Sequence, residues 1–130
     1  LLFIDSCSSD AIDPELVKNE SKKANDYFEA LFDAYVDRSP MFQTRLGIKK
    51  DYGKWNDFSK KREEFEIADS KKSLKWLKDS IDVKLLDDNT KLSFVLYKQG
   101  LQDQISDYKY RLYDYPLNQM FGMQSEIPAI

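Results

Sequence analysis

The sequence predicts an all-α protein built on about three long antiparallel helices joined by loops, and three observations carry that expectation. Apolar residues return at three- and four-residue spacing over long stretches, Asp and Ser residues stand where those stretches begin, and prolines stand where they close. Only four glycines and four prolines occur in 130 residues, too few turn formers for an all-β chain. Hydrophobic residues make up 42% and aromatic residues 14% of the chain, which excludes disorder, and the length sets one domain with a modest core.

Asp13 followed by Pro14 reads as an N-cap with proline at the first helical position, and Glu15 places a carboxylate in the first turn. Ala24, Tyr27, Phe28, Leu31, Phe32, Tyr35 and Val36 form the apolar stripe of this first helix, which Ser39-Pro40 ends. Met41, Phe42 and Leu46 then give one or two helical turns that stop at Gly47. Residues 48–56 read as a loop, with Tyr52 and Trp55 expected to pin it to the body.

Asp57 or Ser59 caps a second long helix that runs to about Ser80, with Phe58, Phe65, Ala68, Leu74, Trp76, Leu77 and Ile81 as its apolar positions. The segment Asp87-Asp88-Asn89-Thr90 caps a third. Phe94, Leu101, Ile105, Tyr108 and Leu112 form its seam, Leu92, Val95 and Leu96 widen it, Gly100 invites close approach of a neighbour, and Pro116 ends the run. Domain organisation is then a leader and tether over residues 1–12 and a helical domain over 13–130, expected to continue in further chain.

Absences narrow the chemistry. The chain has no histidine, so it holds neither a Ser-His-Asp unit nor a His-ligated zinc, and no catalytic or metal residue is assigned to it. Cys7 is the single cysteine, which rules out an internal disulfide. Isolated glycines exclude P-loop and dinucleotide fingerprints. A net charge of −3 gives no global attraction to nucleic acid or to an anionic membrane.

The N-terminus, a short apolar run from Leu1 to Ile4 followed by Asp5-Ser6-Cys7 and a Ser/Asp-rich stretch, has the pattern of the end of a bacterial lipoprotein signal. Cleavage before Cys7 would leave a lipid on its sulfur, the only membrane attachment expected, and places the protein in the cell envelope. The alternative is an apolar segment carrying a small buried cysteine.

Three constellations bear on function. Glu63-Glu64-Glu66 and Asp87-Asp88 are carboxylate groups that read as a solvated helix face and a cap rather than acid/base pairs. Lysines 49, 50, 54, 60, 61, 71, 72, 75 and 78 interleave with Tyr52, Trp55, Phe58 and Trp76, but the acids between them argue against nucleic acid as a partner. Tyr113 and Tyr115 belong to a tyrosine-dense helix end, and Asn118, Gln119, Gln124 and Glu126 set hydrogen-bonding groups among Met120, Phe121, Met123 and Ile127. These six polar and aromatic side chains are the candidate pocket or interface, and packing against further chain is the alternative use for them.

The segments Ser39-Pro40-Met41-Phe42-Gln43-Thr44-Arg45-Leu46-Gly47 and Tyr115-Pro116-Leu117-Asn118-Gln119-Met120-Phe121-Gly122-Met123-Gln124-Ser125-Glu126-Ile127-Pro128 resemble the N-terminal part of a bacterial family catalogued as domain of unknown function 885. Similarity extends over nearly everything from Ala24 onward. The resemblance implies a helical protein several times longer than this chain, often exported or lipid-anchored, with a downstream His-Glu helix like that of zincin-type peptidases. It therefore implies a zinc-dependent hydrolase acting on peptides, whose metal site lies beyond Ile130, with this chain helping to wall the substrate cleft. The rival expectation is a non-enzymatic helical binding or scaffolding protein of the cell envelope.

Overall fold

The computed structural model describes residues 12–113 together with Tyr115, Leu117 and Gln124. Four α-helices are present, α1 (Pro14–Asp37), α2 (Pro40–Arg45), α3 (Lys60–Ser80) and α4 (Asp88–Asp107), with 3-10 turns at Val83–Leu85 and Tyr108–Tyr110. No strand occurs among the described residues. The protein is all-α, and α1, α3 and α4 are its three long helices.

Local chemistry accounts for each start. Asp13 Oδ1 accepts from the Glu15 amide at 2.9 Å, Ser59 Oγ from the Arg62 amide at 3.2 Å, and Asp87 Oδ1 from the Thr90 amide at 2.9 Å. Asp57 caps the cap, accepting from the Ser59 amide at 2.9 Å. Helix α2 stops in a Schellman arrangement: Gly47 takes φ +74°, its amide donates to Thr44 O at 3.0 Å and that of Ile48 to Gln43 O at 2.9 Å. Glycine is required there because a Cβ is strained at positive φ.

The core gathers Ala24 from α1, Leu77 and Ile81 at the end of α3, Leu86 from the connection and Phe94 from α4, with Tyr27, Phe28, Trp76, Tyr97 and Leu101 packed around them. Tyr27 stacks on Trp76 with centroids 3.7 Å apart, and Phe28 on Tyr97 at 5.1 Å. Polar ties lock the same end. Ser21 Oγ accepts from the Asp87 amide at 2.9 Å, Asn25 Nδ2 donates to Thr90 Oγ1 at 3.1 Å, and Glu20 Oε1 accepts from the Asp82 amide at 2.9 Å. Lys23 Nζ donates to the Ser80 carbonyl at the C-terminus of α3.

Four expectations change. Helix α4 ends at Asp107 rather than near Pro116, because Ile105 and Tyr108 are only half-buried and Leu112 is 83% exposed, so no burial sustains further helix. The chain instead turns, and Arg111 reaches Glu63 on α3 at 3.6 Å. Leu92, Val95 and Leu96 stand exposed instead of widening the seam, and a Cβ built on Gly100 would meet nothing within 4 Å. The buried face of α3 is Ile67, Ser70, Ser73 and Leu77, in which two serines hold positions that Phe65 and Ala68 were expected to take. Tyr52 and Trp55 do not pin the loop; both are exposed, and the segment is held by Asn56 Oδ1 on the Met41 amide at 3.1 Å and by Lys50 on Asp37 at 2.9 Å.

No described helix is long and apolar enough to cross a membrane.

Candidate functional site

Because two serines, Ser70 and Ser73, stand between Ile67 and Leu77 on the buried face of α3, a space is left between α1, α3 and α4 that polar and apolar side chains line together. It forms a cleft of about 160 Å³ in which Arg38, Glu66, Asp69, Ser70, Ser73 and Gln104 share the lining with Leu31, Tyr35, Tyr97 and Leu101. That is close to the roughly 150 Å³ needed to enclose a molecule of benzene size. A second hollow of about 170 Å³ shares Tyr35, Arg38 and Glu66 with it and extends toward Asn56 and Phe58.

Arg38, the C-cap residue of α1, is the centre of the cleft. Its Nη1 pairs with Asp69 Oδ2 at 3.0 Å, and its guanidinium lies 5.5 Å from the Phe65 ring, as does that of Arg62 on the same ring. Arg62 Nε in turn pairs with Glu66 Oε1 at 2.8 Å. The Arg38 Nε is buried and has no hydrogen-bond partner. A buried cationic donor without an acceptor is costly, and because this nitrogen is closed off from solvent an oxygen could meet it only after a neighbouring side chain moved aside.

The cleft also carries neutral donors and acceptors. Ser70 Oγ lies 2.8 Å from the Glu66 carbonyl and 2.9 Å from Gln104 Oε1, so its one proton has two acceptors. Burial pushes the Tyr97 hydroxyl above its ordinary pKa, with Tyr27 and Asp69 adding to the rise and Arg38 opposing it. Tyr97 therefore stays protonated at neutral pH. Taken together, the site sets the Arg38 guanidinium beside carboxylates that each bind an arginine through one oxygen. It suits a ligand presenting a hydrogen-bond acceptor and a donor side by side.

The residues singled out from sequence fall elsewhere. Tyr113 and Tyr115 are exposed, Tyr113 meeting Tyr110 edge-on at 6.1 Å, and Gln124 is exposed too. Cys7, Asn118, Gln119 and Glu126 lie outside the described residues. Glu63, Glu64 and Glu66 each pair with a base, and Asp87 is the cap of α4. Sequence reading missed Arg38 and Asp69, which stand 31 positions apart and carry no local pattern.

Zinc is implied by the resemblance, and the donor set here does not fit it: the chain has no histidine, and the described residues contain no group of three His, Cys, Asp or Glu able to hold a metal ion. No metal step is derived from these residues.

Fold and cleft define a helical unit with a small open recess of mixed polar and apolar lining and no resident metal-ligand cluster among the described residues. The chain belongs to the DUF885 family of bacterial proteins of unknown function, whose family model matches residues 40–130. No curated protein and no solved structure matches it.

Proposed function

We propose that this chain is the non-catalytic helical part of a zinc-dependent hydrolase of the bacterial cell envelope, exported and anchored through a lipid on Cys7, and that its cleft forms part of the wall that holds a peptide substrate. The observation that carries the reading is the Arg38 guanidinium, a charged donor that is paired with Asp69 through Nη1 and lines the cleft together with Glu66 and Asp69. A peptide group offers a carbonyl oxygen to such a donor and an N–H to a neighbouring carboxylate. Metal ligands and the group that activates water belong to chain beyond Ile130.

A longer family protein carrying this chain tests the reading. Arg38→Ala is expected to raise KM about tenfold through loss of a charge-assisted hydrogen bond, with kcat and zinc content unchanged. An unchanged KM refutes the role of the cleft, and loss of zinc on that substitution would place Arg38 in support of the metal site instead.

The scaffolding alternative draws on a different observation, the exposed strip of Leu92, Val95 and Leu96 along α4. It predicts a longer protein without hydrolytic activity in which Leu96→Glu abolishes assembly and Arg38→Ala has no effect.

A further inference from the structure

Residues 46–61, from the C-cap of α2 to the first two residues of α3, carry exposed apolar side chains outside the core, of which Phe58 also borders the second hollow. Leu46, Ile48, Tyr52, Trp55 and Phe58 all stand 40–60% exposed within this one stretch. None of its rings stacks on another ring among the described residues, whereas Tyr27, Phe28 and Trp76 all do.

Charge accompanies the apolar groups. Lys49, Lys50, Lys54, Lys60 and Lys61 against Asp51 and Asp57 leave +3 on the segment, in a chain whose net charge is −3. Lys50 and Lys60 pair with Asp37 and Glu64 outside the segment, so the positive charge left on it without a partner among the described residues is that of Lys49 and Lys61. Lys50 rests on Asp37 at 2.9 Å in a solvent-exposed pair, which exchanges readily for another anion, whereas Lys54 lies 2.9 Å from Asp51, whose side chain is largely covered.

The composition selects the partner. Protein interfaces are depleted in lysine and enriched in arginine, and phosphate-reading nucleic-acid surfaces also favour arginine, whereas this segment has five lysines and its nearest arginines are Arg45 and Arg62 at its two flanks. Trp and Tyr rings beside aliphatic residues and lysines are instead the mix found at the headgroup level of a membrane, where rings with a polar edge sit half in hydrocarbon and lysines meet lipid phosphates. We propose that residues 46–61 are a membrane-docking loop, seating Trp55, Phe58 and their aliphatic neighbours in the interface of an anionic bilayer while the lysines pair with its phosphates. This contact is separate from any lipid on Cys7 and does not rest on the hydrolase reading.

The full chain carrying Cys7→Ser, which has no site for a lipid, is mixed with vesicles of phosphatidylcholine alone and with vesicles containing about one quarter phosphatidylglycerol, and sedimented. The loop predicts binding to the anionic vesicles and little to the neutral ones. Lys49→Ala and Lys61→Ala each weaken it about fivefold, the contribution of one lysine near a charged surface, and added salt weakens it further. Trp55→Ala with Phe58→Ala abolishes binding while the thermal melt stays at the parent's. In a Trp76→Phe background, which leaves Trp55 as the remaining tryptophan, vesicle addition shifts the emission to the blue. Should that background fail to fold, sedimentation of the Trp55 and Phe58 variants decides alone. Absence of binding, binding indifferent to these substitutions, equal affinity for an oligothymidylate, or a dimer that buries Trp55 would each overturn the proposal.

Discussion

Leu77 is fully buried where α3 meets α1, α4 and the connection between α3 and α4, and it belongs to a core of few large apolar side chains. Leu77→Ala removes three carbons from a site whose neighbours Ala24, Leu86 and Phe94 are fixed on other elements and, with Ile81 at the end of α3, cannot all close on the gap. The expected cost is about 3 kcal/mol, the lost transfer energy plus the cavity left behind. Against a total stability of about 5–15 kcal/mol for a domain of this size, that is a large share. With a urea dependence of about 2 kcal/mol per M, the denaturation midpoint should fall by about 1.5 M. The thermal midpoint should fall by roughly 12 °C. Leu96→Ala on α4 is the matched control, since Leu96 is 63% exposed and its truncation should stay within about 0.5 kcal/mol. Urea melts of the two variants read by circular dichroism make the comparison. Equal losses, or a Leu96 effect larger than that of Leu77, would refute the placement of the core.

Two further tests follow from the polar architecture. Gln43 on α2 is buried and its Nε2 donates to the Val36 carbonyl at 2.9 Å and the Asp37 carbonyl at 3.3 Å, capping α1 from a neighbouring helix while its own Oε1 has no partner. Gln43→Ala should cost about 2 kcal/mol, and Gln43→Leu should cost less because it removes the orphaned oxygen and keeps the volume; urea midpoints rank the three proteins. The Thr90 amide, with help from Ser21 and the Thr90 hydroxyl, holds the Asp87 carboxyl below its ordinary pKa. Its charge therefore stabilises the fold above the unfolded carboxyl value near about 4 and ceases to do so as pH falls through the depressed one. The stability advantage of the parent over Asp87→Asn should be full at pH 7 and shrink below about pH 4, as read by urea midpoints across that range; an advantage constant with pH contradicts the assignment.

Much of the helical frame was legible because its signals are local. Asp13-Pro14, Ser59, Asp87 and Gly47 act within a few residues of themselves, and each does in the structure what its neighbours in sequence imply. Packing was legible only where it used large apolar groups. Ser70 and Ser73 face inward on α3 without any hydropathy signal, so the stripe read from Phe65 and Ala68 was rotated from the true one. Tyr52 and Trp55 show the converse error, since a ring in a loop reads as an anchor until its exposure is known. The cleft was invisible for a further reason: Arg38, Asp69 and Tyr97 come from three helices and look individually like ordinary surface or core residues. The family resemblance, by contrast, was carried by contiguous residues and holds over 40–130.

In the proposed function this chain would contribute a substrate wall and leave metal and catalysis to other residues of the same protein. Zinc content and peptide hydrolysis, measured side by side on residues 1–130 and on a longer family protein carrying them, test it most directly. The account predicts bound zinc and hydrolysis in the longer protein and neither in the 130-residue chain; stoichiometric zinc on the short chain, or a longer protein that is metal-free and inactive, would contradict it.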